Sequence, residues 1–92
     1  MKHGHTYTTL VFTDDLFTTL LSKDFSAAER RRFVRALELL DTNERHPSLR
    51  VHQLHGDQAG IWSASASDEL RLTFERLPEG KKRMLACSRH YQ

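Results

Sequence analysis

At Pro47 the spacing of apolar residues in this chain changes. Before it, Phe33, Ala36, Leu37 and Leu40 recur at helical intervals. After it, "IWSASAS" (61–67) and "LRLTFER" (70–76) alternate with the period of a strand. A segment patterned for one period buries the wrong side chains if it adopts the other. Proline cannot continue a helix, so Pro47 marks the change. The chain must therefore fold as helices followed by strands, an α+β arrangement in one domain spanning residues 1–92.

The elements follow from their punctuation. "YTTLVF" (7–12) is β-branched and aromatic and reads as a first strand. Thr13, Asp14 and Asp15 form a helix start, with a capping residue and acids facing the positive end of the dipole. Leu16, Phe17, Leu20 and Leu21 continue that helix until it fades near residues 22–24. "SAAE" (26–29) is a capping box opening a second helix over 27–43, and the two helices should form an antiparallel hairpin. "LRVHQL" is short and extended. Pro78 and Gly80 turn the chain between strands 70–76 and 83–88. The expected fold is an N-terminal strand, a two-helix hairpin, and a three- to four-stranded antiparallel meander packed on the helices.

Charge sets few limits. Lys and Arg number 14 against 12 Asp and Glu, a net charge of +2. That surplus does not by itself imply nucleic-acid binding. It is unevenly placed, however: Arg76, Lys81, Lys82, Arg83 and Arg89 face one acid, Glu79, across residues 76–92. Lys82, Arg83 and Arg89 are thus candidate contacts for a polyanion. Cys87 is the single cysteine, which rules out an internal disulfide and fits a reducing, cytoplasmic setting. No apolar run is long enough to span a membrane. His46, His52, His55 and His90 lack the spacing of a zinc site, so neither metal nor cofactor is expected.

Strand parity sorts the side chains. Leu70, Leu72 and Phe74 share one face of their strand, with Arg71, Thr73 and Glu75 on the other. Trp62, Ala64 and Ala66 read as core, opposite Ser63 and Ser65. In the last strand Leu85 and Cys87 read as core, opposite Met84, Ala86, Ser88 and His90. The helices must cover the apolar face. The other face is then wet and lined by small residues, Ser63, Ser65, Ala86 and Ser88, with Arg71 and His90 standing on it. Such a surface can hold a phosphodiester, although antiparallel sheets often carry one wet face without a function.

The order strand, helix hairpin, "WS", "LRLTF" (70–74) and "ACSRHY" (86–91) resembles the RelE/ParE superfamily, the toxic halves of type II toxin–antitoxin pairs. The ending is close to that of the YoeB branch, and "VHQLHG" (51–56) is similar to the YafQ branch. The resemblance implies a toxin that enters the ribosomal A site and cuts mRNA without a metal, the 2′-hydroxyl attacking the adjacent phosphate. Carried over by position, Arg71 would stabilise the phosphate, His90 would act as general acid or base, Tyr91 would orient or stack on a base, and His52 would be a second proton-transfer group. Ser63 and Ser65 would line the RNA. The implied partners are a cognate antitoxin, in a hetero-oligomer, and the ribosome with its message.

The chain also departs from the pattern. RelE and YoeB carry cations on the strand that here reads "WSASAS". Their absence implies a slow nuclease, one relying on His52 and His90, or a binding-only member, inactive or of the gyrase-poisoning ParE type, that keeps antitoxin binding.

Overall fold

The computed structural model describes residues 4–90. In chain order the elements are β1 (Leu10–Phe12), α1 (Asp14–Leu20), α2 (Ala27–Thr42), β2 (His52–Gln53), β3 (Trp62–Ser65), β4 (Leu70–Arg76) and β5 (Lys82–Arg89). Short 3-10 turns occupy Pro47–Leu49, Gly56–Gln58 and Pro78–Gly80. The five strands form one sheet in the order β1-β5-β4-β3-β2. From β2 to β5 it is the expected antiparallel meander. β1 adds to the far edge, parallel to β5, with Leu10 opposite Lys82 and Phe12 opposite Met84.

Both helices start where the sequence puts them. The Thr13 hydroxyl accepts from the Leu16 N–H at 3.1 Å. Ser26 and Glu29 close a reciprocal capping box, at 3.1 and 2.9 Å. α1 packs on β5, and α2 lies over β3 and β4. Between helices and sheet, Leu16, Phe33, Leu40, Leu70, Leu72, Phe74 and Met84 are buried completely or nearly so. Each such side chain contributes roughly 1.5–3 kcal/mol through burial.

β1 is shorter than its β-branched run. The Thr8 and Thr9 amides donate to the Asp41 carboxylate of α2 instead of to a strand, at 3.2 and 2.7 Å. The Thr9 hydroxyl and His5 Nε2 reach the same carboxylate, at 2.6 and 2.8 Å. Burial of Asp41 pushes its pKa up, but the Thr9 hydroxyl, His5 and the two amides outweigh it, and the carboxyl stays well below the usual range. Asp41 lies four residues beyond Leu37, on the apolar stripe of its helix. A carboxylate there can be tolerated only if it is satisfied.

The parity expected for β5 fails at one residue. Thr73 faces Ala86, but Phe74 faces Met84, so Leu85 is a bulge. The extra residue resets the alternation. Met84 and Cys87 therefore both point into the core, and Met84 does not lie on the opposite face as expected. Ala86, Ser88 and His90 keep the expected side.

Candidate functional site

The face of the sheet away from the helices carries a groove of about 460 Å³. It is lined by His52, Leu54, Gln58, Ser63, Arg71, Thr73, Ser88, Arg89 and His90. Register explains the gathering: His52 pairs with Ser63, Ser63 with Thr73, and Arg71 with Ser88, two residues before His90. Four neighbouring strands thus present their like-parity side chains in one row.

Each titratable group is held differently. His52 is exposed, and its Nδ1 lies 2.8 Å from the Arg50 carbonyl. A carbonyl only accepts, so Nδ1 carries the proton, and in the neutral ring Nε2 keeps its lone pair. Arg71 is half-buried, and its Nη1 donates to the Ser67 and Leu70 carbonyls, at 2.7 and 3.2 Å. That leaves its remaining N–H groups for an anion. His90 is exposed, and its backbone N–H donates to the Glu69 carbonyl.

The turn between β3 and β4 therefore holds both Arg71, by side chain, and His90, by backbone. Tyr91 lies outside the described residues. Ser63 and Ser65 share the side of Arg71 but are only 4% and 6% exposed. The expected wet strand of small residues is closed along β3, because serine is short enough to sit beneath its neighbours.

The basic residues do not all reach this face. Lys82 is buried at 3% exposure and pairs with Glu44, Nζ to Oε1 3.2 Å. Arg76 makes a two-pronged pair with the same carboxylate, at 2.6 and 3.2 Å, and its guanidinium lies 4.2 Å from the Trp62 ring centre. Arg76 chiefly, and then Lys82, outweigh burial and hold Glu44 down to about 2. Arg83 pairs with Glu75 at 3.1 Å on the exposed surface.

The Arg89 backbone follows the groove, but its guanidinium reaches the helix side. There it binds Glu29 at 2.8 and 3.2 Å and the Asp24 carbonyl at 2.9 Å, over the Phe25 ring. Arg89 first, then the Ser26 amide, hold Glu29 down to about 2. Cys87 is core, and burial pushes its thiol up to about 12, which removes it as a nucleophile.

No protein-family model matches this chain, and no curated protein matches it in sequence. Solved structures do match. A YoeB/ParE toxin from Agrobacterium tumefaciens superposes with a TM-score of 0.65 at 23% identity, covering 91% of this chain and all of the other. The fold is that of the RelE/ParE toxins.

The YoeB-YefM complex from Staphylococcus aureus gives a TM-score of 0.63 at 19% identity, covering 94% of this chain and 100% of the matched one. The E. coli DinJ-YafQ toxin–antitoxin complex gives 0.66 at 16%, covering 88% and 90%. Within the RelE/ParE fold, the groove lies on the sheet face that the helices leave uncovered. Arg50, Asp41 and Glu44 were not singled out by sequence reasoning. Only Asp41 carried a signal, a charge set into an apolar stripe.

Proposed function

We propose that this chain is the toxin of a type II toxin–antitoxin pair and cleaves mRNA on the ribosome without a metal. One observation carries the reading: His52, Arg71 and His90 line a single groove on the helix-free face. His52 Nε2 takes the proton of a ribose 2′-hydroxyl, and the freed oxygen attacks the adjacent phosphorus. Arg71 neutralises the charge that grows on the phosphate oxygens. His90, protonated, gives its proton to the departing 5′-oxygen, leaving a cyclic phosphate. The test is primer extension on a defined message with purified translating ribosomes. Cleavage by the wild type and its loss in His90→Ala support the reading. An uncut message, with growth still arrested through gyrase, favours the ParE-type alternative.

An antitoxin partner belongs to the same proposal. A groove of about 500 Å³ runs between α1 and α2, lined by Leu20, Leu21, Val34, Arg30, Arg31 and Arg35. Leu21 is 69% exposed and Val34 38%. Apolar surface edged by arginines suits an amphipathic segment with acidic flanks. Neighbours of this fold were solved in complex with antitoxins, which supports the partner class. Val34→Glu should release the co-expressed antitoxin and leave cleavage intact. Retained binding would move the partner elsewhere.

A further inference from the structure

We infer that Arg50 is the second cation of the phosphate-binding face, taking the place of the charges that β3 lacks. The inference deepens the ribonuclease reading and rests on it for the chemical class of the anion, a phosphodiester of single-stranded RNA.

Two arginines approach the turn between β3 and β4 from different elements. Arg71 comes from β4 and gives its Nη1 to the Ser67 carbonyl at 2.7 Å. Arg50 comes from the segment before β2, and its Nη2 lies 3.8 Å from Asp68 Oδ1 on the same turn. That second pair is loose: its side chains are 65% and 92% exposed, and water screens such contacts. An arriving phosphate can therefore draw the Arg50 guanidinium from Asp68 without uncovering a buried charge. Bidentate contact with a phosphate is the stronger use of a guanidinium.

The backbone of Arg50 ties this cation to the proton-transfer group. Arg50 has φ 46° and ψ 46°, the left-handed region that residues with a Cβ rarely adopt. In that conformation its carbonyl accepts from His52 Nδ1. Strained non-glycine residues are held at sites where the surroundings require them. One residue thus fixes the tautomer of His52 through its carbonyl and presents a cation through its side chain.

The ground beyond Arg50 is also basic. A separate groove of about 390 Å³ is lined by Arg45, His46 and Arg50, with Arg76 paired to the one acid there, Glu44. The Ser48 amide donates to His46 Nδ1 at 3.2 Å, so in the neutral ring Nε2 carries a proton and can donate. An RNA strand leaving the His52 side of the catalytic groove would meet this surface at Arg50.

The test uses the full chain and a fluorescent twelve-nucleotide oligouridylate, 2′-O-methylated so that it cannot be cut. Arg50→Asn removes the charge and keeps a residue that tolerates the left-handed conformation. It should weaken binding about 3–10-fold and lower the slope of log K against log salt by about 0.7, the change expected when one fewer phosphate of a single strand is neutralised. Lys81→Ala, at the far end of the sheet, should change neither. Arg50→Lys should keep the slope.

An Arg50→Asn protein that folds, shown by its thermal transition, yet binds with unchanged affinity and slope would overturn the inference. So would a reduced slope that Arg50→Lys fails to restore. Failure of the ribonuclease reading looks different: the oligonucleotide would bind through Arg50, but translating ribosomes would release no cut message.

Discussion

The Glu69 carbonyl accepts the His90 N–H at 2.6 Å, extending the ladder between β4 and β5 one residue past the last paired strand position. One residue earlier, Arg89 anchors the same strand to Glu29 on α2. His90 is thus held through its own N–H and through the residue before it, and it lines the groove. In the proposed reaction, His90→Ala and Arg71→Ala should each slow cleavage on translating ribosomes by about 10²–10³-fold, equivalent to about 2.7–4 kcal/mol of barrier. Cleavage at the wild-type rate in both variants would remove them from the site.

Removing the anchor should act through position. Arg89→Ala leaves His90 chemically intact but frees the end of β5, so kcat should fall even when measured well below the folding midpoint, which drops with the loss of the Glu29 tie. The charge swap Glu29→Arg with Arg89→Glu should recover part of the loss. A swap no better than the single changes would mean that the pair does not position the tail.

Acid should loosen these ties in a defined window. Glu29 and Glu44 each titrate near 2 in the folded chain, below the ordinary glutamate value of 4.5. Groups with depressed folded values stabilise the fold above the unfolded value and lose that effect as pH falls through the folded one. Unfolding midpoints should therefore be flat above pH 5 with respect to these groups and fall between about 4.5 and 2. Glu44→Gln should flatten part of that decline. An unchanged slope in the variant would show that Glu44 is not depressed by its cations.

Asp41 should matter more than its surface-type chemistry suggests. Asp41→Ala strands the Thr8 and Thr9 amides and the Thr9 hydroxyl at the start of β1. Leaving buried donors unsatisfied costs about 1–3 kcal/mol each, and partial access to water reduces the sum, so a loss of about 2–4 kcal/mol is expected. Chemical denaturation checks this, with Asp41→Asn intermediate.

Lysines at Ser63 and Ser65 test whether missing cations limit the rate. On a wet face such changes would be nearly free, but both serines are buried. Each lysine must thread its stem past the groove lining, and at Ser65 it directly faces Arg71 across the ladder. A cost of about 1–3 kcal/mol per site is expected, from overpacking and like charge. Any gain in cleavage should appear only well below the lowered melting temperature. A double lysine variant as stable as the wild type would show that this face opens in solution.

Much of the architecture was legible because its signals are local. The Thr13 and Ser26 caps, the stop at Pro47 and the alternation in β4 each depend on neighbours a few residues apart, and all stand in the structure. The side of the sheet carrying Arg71, Thr73, Ser88 and His90 followed from period-two parity. What failed needs distant partners. The bulge at Leu85 arises from pairing with β4, and nothing in "RMLACS" announces it. Burial of Ser63 and Ser65 depends on what sits above them. Lys82 and Arg89 read as candidate contacts for a polyanion because Glu44 and Glu29 lie 38 and 60 residues away in sequence and become partners only after folding. Arg50 gave no pattern at all, since a left-handed arginine is set by its context.

The pairing of β1 with β5 has a consequence in time. Leu10 bonds across to the segment around Lys82, so the first strand waits for the last before it has a place in the sheet. During synthesis, most of the chain emerges with β1 and the β5-facing side of α1 unmatched. Closing so long a loop is entropically costly and slow. The strand that completes the sheet is also the strand that delivers His90. A nascent chain short of β5 therefore lacks both a complete sheet and the His90 side of the groove, which comes into being in the same step that completes the fold.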